Sequence, residues 1–168
     1  ATEGLFSAIH AVVRPGDEVI VLDPAYDSYE PSVTLAGGTT VHVPLVSSND
    51  NPDFRIDFDQ LSDAITSKTR LIMLNFPHNP TGTILSGVDL GALSEVVRDK
   101  DLFLISDEVH EHIVFDGNRH SSLGALPDMR SRTIVVNSIS KTGSATGWRV
   151  GWVISPRGHT PAIRAFHD

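Results

Sequence analysis

Apolar and polar positions follow two alternating rhythms along this chain. In "ATEGLFSAIHAVV", Leu5, Phe6, Ile9 and Val12–Val13 recur at helical spacing, which predicts a helix with Thr2 as its N-cap. "RPGDE" breaks that rhythm, and "VIVLD" (Val19–Asp23) reads as a buried strand because its apolar residues run without alternation. A short helix in "SYEPSVTLAGG", ended by Gly37–Gly38, precedes a strand of period-2 character in "TTVHVPL". The pattern then gives a helix in "DFDQLSDAIT", a strand in "RLIMLNFP", a helix in "SGVDLGALSEVVRD" and a strand in "LFLISDEV" (Leu102–Val109). Two more strands lie in "TIVVNSIS" and "RVGWVIS", and "PAIRAFHD" stops inside a helix. "SSNDNPDF" (Ser47–Phe54) is the most loop-like stretch and separates elements rather than domains.

Alternating strands and helices, with strands that are mostly continuous apolar runs, predict an α/β fold. Its mostly parallel sheet is sandwiched by helices. In such sheets the site forms beyond the C-terminal ends of the strands. Those ends are Asp23–Tyr26, Asn75–Asn79, Asp107–His110 and Ser138–Lys141, and the chemically useful side chains gather there.

Composition narrows the function classes. The 168 residues are enough for one domain with a core, and 40% apolar with 20% charged residues is ordinary for a globular protein. The net charge of −8 argues against a nucleic-acid partner and against an anionic membrane surface. No apolar run reaches membrane-spanning length, no targeting segment is visible and cysteine is absent, which together fit a cytoplasmic location. A chain that opens on a helix and stops inside one reads as a piece of a longer protein.

Each candidate residue has a functional and an ordinary reading. "NFPHNPTG" holds Asn79 in a turn made rigid by two prolines and a glycine. Its amide can contact a phenolate or a carboxylate, or bond its own backbone. Asp107 can hold a proton on a ring nitrogen, or be a solvated or capping acid. Asp107, Glu108, His110, Glu111 and His112 invite a metal reading, but the spacing is not that of a zinc motif and no cysteine helps, so no metal is expected. Lys141, one of three lysines, can form a Schiff base if burial frees its amine, or sit exposed in a turn. Arg149 can clamp a phosphate or make a surface ion pair. Tyr26 can stack on a flat ring or pack as an ordinary aromatic. Thr2 at a helix start can offer its hydroxyl and N–H groups to an anion or act as a simple cap. Ser138 and Ser140 can donate hydroxyls or satisfy the backbone. One ligand fits all the functional readings: pyridoxal 5′-phosphate, whose chemistry needs a lysine amine and an acid at its ring nitrogen.

The motifs "ATEGLF", "RPGDEVIVLDPAYDSYEP", "NFPHNPTG", "SDEVHEH" and "SKTGSATGWRVGW" span nearly the whole chain, and in this order they resemble the class I/II aminotransferases of the aspartate aminotransferase superfamily. The nearest branch is that of the kynurenine, glutamine and methionine aminotransferases. The resemblance implies pyridoxal phosphate as cofactor, and amino acids and 2-oxo acids as substrates. It makes Lys141 the Schiff-base lysine and then the base of the proton shift, and Asp107 the partner of the ring nitrogen. Asn79 would contact the phenolic oxygen, and Tyr26 would stack on the ring. Ala1, Thr2, Ser138 and Arg149 would hold the phosphate. It further implies a homodimer. Residues 1–168 would be an incomplete cofactor-binding large domain, lacking an N-terminal segment and a C-terminal small domain.

Two positions depart from the family pattern. His110 stands where a tyrosine usually donates to the phenolic oxygen, and related C–S β-lyases carry a histidine there. β-Elimination is therefore the alternative to transamination, with a non-catalytic cofactor-binding regulatory module as the third reading. Gly143 stands where an aromatic residue is common, which would loosen that wall of the site.

Overall fold

The computed structural model describes residues 1–47 and 53–167. Most of the loop expected at Ser47–Phe54 lies outside the described residues. Among the described residues six α-helices and six strands follow in the order α1 (Thr2–Val12), β1 (Glu18–Asp23), α2 (Tyr29–Leu35), β2 (Thr39–Pro44), α3 (Phe58–Asp63), β3 (Thr69–Asn75), α4 (Gly87–Val97), β4 (Phe103–Asp107), β5 (Thr133–Ser138), α5 (Ile139–Thr142), β6 (Gly151–Ile154) and α6 (Thr160–Ala165). The strands form one sheet in the order β2-β1-β3-β4-β5-β6. The first five run parallel and β6 pairs antiparallel with β5.

Strand periodicity explains the layering. Side chains alternate between the two faces of a sheet. Val19, Val21, Leu71, Met73, Ile105, Ile134 and Val136 face one side, where they pack with Leu5 and Ile9 of α1, Tyr29 and Val33 of α2 and Ile163 of α6. Ile20, Leu22, Ile72, Leu74 and Leu104 face the other, against Leu61 of α3 and Leu90, Leu93 and Val97 of α4. Each fully buried aliphatic side chain contributes roughly 1.5–3 kcal/mol, so continuous apolar strands are what a two-sided sheet requires. No described helix is long and apolar enough to cross a membrane.

Helix ends follow local chemistry. Asp57 caps α3 by accepting from the Asp59 and Gln60 amides at 3.1 and 3.0 Å. Ser86 and Asp89 form a reciprocal capping box at α4. At α1 the expectation is corrected: Ala1, not Thr2, is the N-cap, and Thr2 is the first helical residue. The start of α1 lies close to β5 and β6 because two glycines permit it. A β carbon on Gly151 would lie 2.5 Å from Ala1 N, and one on Gly4 would lie 2.8 Å from a Val153 methyl.

The chain leaves β1 to one side, forms β2, and crosses back to β3 on the other. That reversal puts the sheet's switch point between the C-terminal ends of β1 and β3, where a ligand crevice is expected.

Candidate active site

Across the sheet, the strand ends present a graded set of groups. Tyr26 follows β1, Asn75 ends β3 with Asn79 beyond it, Asp107 ends β4 with His110 beyond it, and Ser138 ends β5 ahead of Ser140 and Lys141. Arg149 precedes β6. Together with Ala1, Thr2 and Leu5 of α1, they line one cavity of about 260 Å³. Ala1, Thr2, Tyr26, Asn79, Asp107, His110, Ser138, Lys141 and Arg149, dispersed over the sequence, thus meet in one place.

The floor is held by residues with long-range partners. Asn75 Nδ2 donates to the Asp107 carbonyl at 3.0 Å, and the Asn79 amide donates to Asn75 Oδ1 at 2.9 Å. Asn75 therefore fixes the Asn79 turn relative to Asp107. Asp107 is buried, 4% exposed, and takes a 2.7 Å hydrogen bond on Oδ2 from the Tyr29 hydroxyl. Burial pushes its carboxyl above the usual range, while the Tyr29 and Val109 hydrogen bonds and the charge of His110 oppose that rise. A buried acid of this kind suits a cationic partner such as a protonated ring nitrogen.

The Asn79 turn is closed by its own backbone. The His78 amide donates to Thr83 O, and the Gly82 amide, from a residue at φ +77°, donates to His78 O, both at 2.8 Å. Among the described residues the Asn79 side chain makes no hydrogen bond, so the reading in which it satisfies its own backbone is not met. His78 Nδ1 lies 2.8 Å from Thr81 Oγ1. Burial lowers the His78 imidazole below its usual value; a hydrogen bond to the Pro24 backbone opposes this and His110 adds to it. A histidine depressed in the folded state binds fewer protons there than in the unfolded chain. Its stabilisation is complete above the unfolded value of 6.5 and is lost as pH falls from there through the folded value. The stability gap between the wild type and His78→Asn should therefore narrow on going from about pH 8 to about pH 5.5 in urea unfolding. An equal gap at both would refute the assignment.

The lysine segment differs from the expected turn. Lys141 lies in α5, a single helical turn capped by Ser138, whose Oγ accepts from the Ser140 amide at 3.3 Å. The Ser138 hydroxyl proton stays available for a ligand. Lys141 is exposed in this chain. Gly143 is the C-cap of α5, and a β carbon there would lie 2.9 Å from Ile139 O. A side chain there would crowd the closing turn of α5. Arg149 is exposed and left-handed at φ +55°, a conformation that costs a non-glycine residue about 1 kcal/mol or more. Such strain is typical of positions held for function.

The acidic motif divides between the two faces of β4. Asp107 and His110 line the cavity, whereas Glu108 joins the opposite layer. Its Oε1 accepts from Ser106 Oγ, Ser122 Oγ and the Leu123 amide at 2.8, 3.0 and 3.3 Å. His120 Nε2 lies 3.0 Å from Oε2, close enough for charge pairing though without the alignment of a hydrogen bond. Glu111 comes within 4.8 Å of these two ligand atoms, making the only metal-compatible group among the described residues, and the hydrogen bonds on Glu108 account for that residue as a structural tie.

Size does not locate the site. A larger hollow, about 780 Å³, lies at the N-terminal ends of β3 and β4, lined by Lys68, Lys100, Arg70 and Phe103 among others. The smaller cavity at the C-terminal ends has the amine, the buried carboxylate and the anion donors. That donor set fits pyridoxal phosphate: Thr2, Ser138 and Arg149 for the phosphate, Asp107 for the ring nitrogen, and Lys141 for the aldehyde.

Comparison with known proteins agrees. The family model "Aminotransferase class I and II" matches residues 1–167. The methionine aminotransferase of Escherichia coli is 42% identical over all of this chain and 42% of its own length. A probable N-succinyldiaminopimelate aminotransferase of Mycobacterium tuberculosis is 43% identical over 98% of this chain and 41% of its own length. The crystal structure of YbdL from Escherichia coli, identified with a methionine aminotransferase function, superposes with a TM-score of 0.93 at 42% identity, covering 99% of this chain and 43% of that one. The chain thus spans about two-fifths of the length of these relatives. It belongs to the class I and II aminotransferases, a family that uses pyridoxal phosphate.

Proposed function

We propose that residues 1–168 are the cofactor-binding large domain of a cytoplasmic, homodimeric enzyme that moves an amino group from an amino acid to a 2-oxo acid. One observation carries the reading: an amine, a buried carboxylate and a set of anion donors line the same cavity. When bound, pyridoxal phosphate supplies an aldehyde for the amine and a ring that takes up the electrons left when Cα loses its proton. Thr2, Ser138 and Arg149 bind the phosphate, helped by the N–H groups that open α1. Tyr26 would cover one ring face, and Asn79 and His110 would meet the phenolic oxygen. Asp107, held by Tyr29 and Asn75, keeps a proton on the ring nitrogen. Lys141 Nζ would take the Cα proton and pass it to the carbon that was the cofactor's aldehyde. Relatives at 42% and 43% identity carry different substrate names, so identity at this level follows the cofactor and not the substrate.

The test is uptake and product. The chain should take up one pyridoxal phosphate with a saturable change in absorbance. Arg149→Ala should weaken uptake by about 10-fold or more, the value of a charge-assisted phosphate contact. With an amino acid donor, the active protein should leave the cofactor as the amine and release a 2-oxo acid. His110 favours one rival, and ammonia with pyruvate from a cysteine conjugate would establish elimination in place of transfer. No saturable uptake would sink both.

A further inference from the structure

Tyr29 is absent from the sequence-derived site, yet it touches two of its walls. Its hydroxyl donates to Asp107 Oδ2 at 2.7 Å, and the two side chains, 3% and 4% exposed, are buried together. Its ring meets that of Tyr26 edge-on, 5.5 Å between centroids at 83°. The other carboxylate oxygen, Oδ1, has only the Val109 amide at 3.4 Å. One oxygen is thus committed to the protein and the other retains capacity for a ligand in the cavity.

We propose that Tyr29 is a positioning residue for the cofactor ring. Its hydroxyl fixes the rotation of Asp107 and keeps that carboxylate the weaker base of the acid–ring pair, and its ring sets the tilt of Tyr26. The proposal rests on the cofactor reading above. The chemistry is a competition for one proton. A hydroxyl donating to a carboxylate stabilises the charged form, which leaves the proton on the ring nitrogen. Without it, burial of Asp107 meets less opposition and draws the proton towards oxygen, weakening the ring as an electron acceptor. Tyr29 remains a donor throughout, since burial and then the charge of Asp107 hold its hydroxyl well above its usual value. The other charged side chain that acts on Asp107 is His110, while Lys141 and Arg149 share its cavity. None of them replaces a directed hydrogen bond to Oδ2.

Tyr29→Phe keeps the ring contact and removes the donor. The carboxyl carbon of Asp107, followed by ¹³C NMR in the chain without cofactor, should titrate at higher pH in the variant than in the wild type. The dissociation constant for pyridoxal phosphate should rise about 3- to 10-fold, the worth of one hydrogen bond. Tyr29→Leu, which also removes the Tyr26 contact, should weaken uptake further, with unfolding midpoints confirming that both variants fold. An unchanged Asp107 titration in Tyr29→Phe overturns the proposal. A shifted titration in a chain that takes up no cofactor upholds the hold of Tyr29 on Asp107 and overturns the functional reading instead.

Discussion

Lys141→Ala should abolish covalent capture of pyridoxal phosphate and cut turnover by at least about 10²–10⁴-fold, the value of a positioned general base alone. The wild-type chain, mixed with the cofactor and reduced with borohydride, should carry the label on Lys141. The three lysines make the readout sharp. Lys68 and Lys100 line the hollow at the opposite end of the strands and serve as internal controls for surface reactivity. Peptide mapping identifies the labelled lysine. Lys141 is exposed, so selectivity must come from the phosphate donors that bring the aldehyde to it, and Arg149→Ala should scatter the label. Lys141→Arg keeps the charge but cannot give up its proton, so it should bind cofactor without capture. Equal labelling of all three lysines, or capture retained in Lys141→Ala, would refute the assignment.

The layered sheet was legible because burial on two faces forces long apolar runs, and β1, β3, β4 and β5 have them. The site's location was legible too, since parallel sheets place ligands at one end of their strands. What local sequence does not carry is the identity of long-range partners. Tyr29 lies 78 residues from Asp107, and nothing in "DSYEP" marks its hydroxyl as the partner of that acid. Asn75 bridges β3 to β4 through a bond that exists only once the strands are paired. One difference from the expected pattern had a local signal. Ser138 two residues before Ser140 is a helix-capping pattern, and it converts the expected lysine turn into α5. Period-2 alternation along β4 puts Asp107 with Phe103 and Ile105, and Glu108 with Leu104 and Ser106 on the other face. The adjacent acids of "SDEVHEH" are separated by that alternation, and their roles separate with them.

Glu108→Ala should therefore cost about 3–5 kcal/mol of stability, the range for removing one side of a buried charged network. Glu108 is 1% exposed and ties the end of β4 to Ser122 and Leu123, ahead of the segment that leads through buried Met129 into β5. Its loss strands two hydroxyls and a backbone N–H without an acceptor and leaves His120 without its carboxylate. Against a total of about 5–15 kcal/mol for a domain, that is about a fifth of the margin or more. Glu108→Gln should fall between, because its carbonyl oxygen still accepts from Ser106 and Ser122. Asp107→Asn should behave oppositely. Burial already disfavours the Asp107 charge, so neutralising it relieves a cost in the unliganded chain while removing the grip on a ring cation. Urea unfolding and cofactor uptake on the same variants should then disagree: Glu108→Ala loses stability first, and Asp107→Asn loses uptake with little loss of stability. A Glu108→Ala chain within about 1 kcal/mol of the wild type would show that the buried network contributes less than its hydrogen bonds imply.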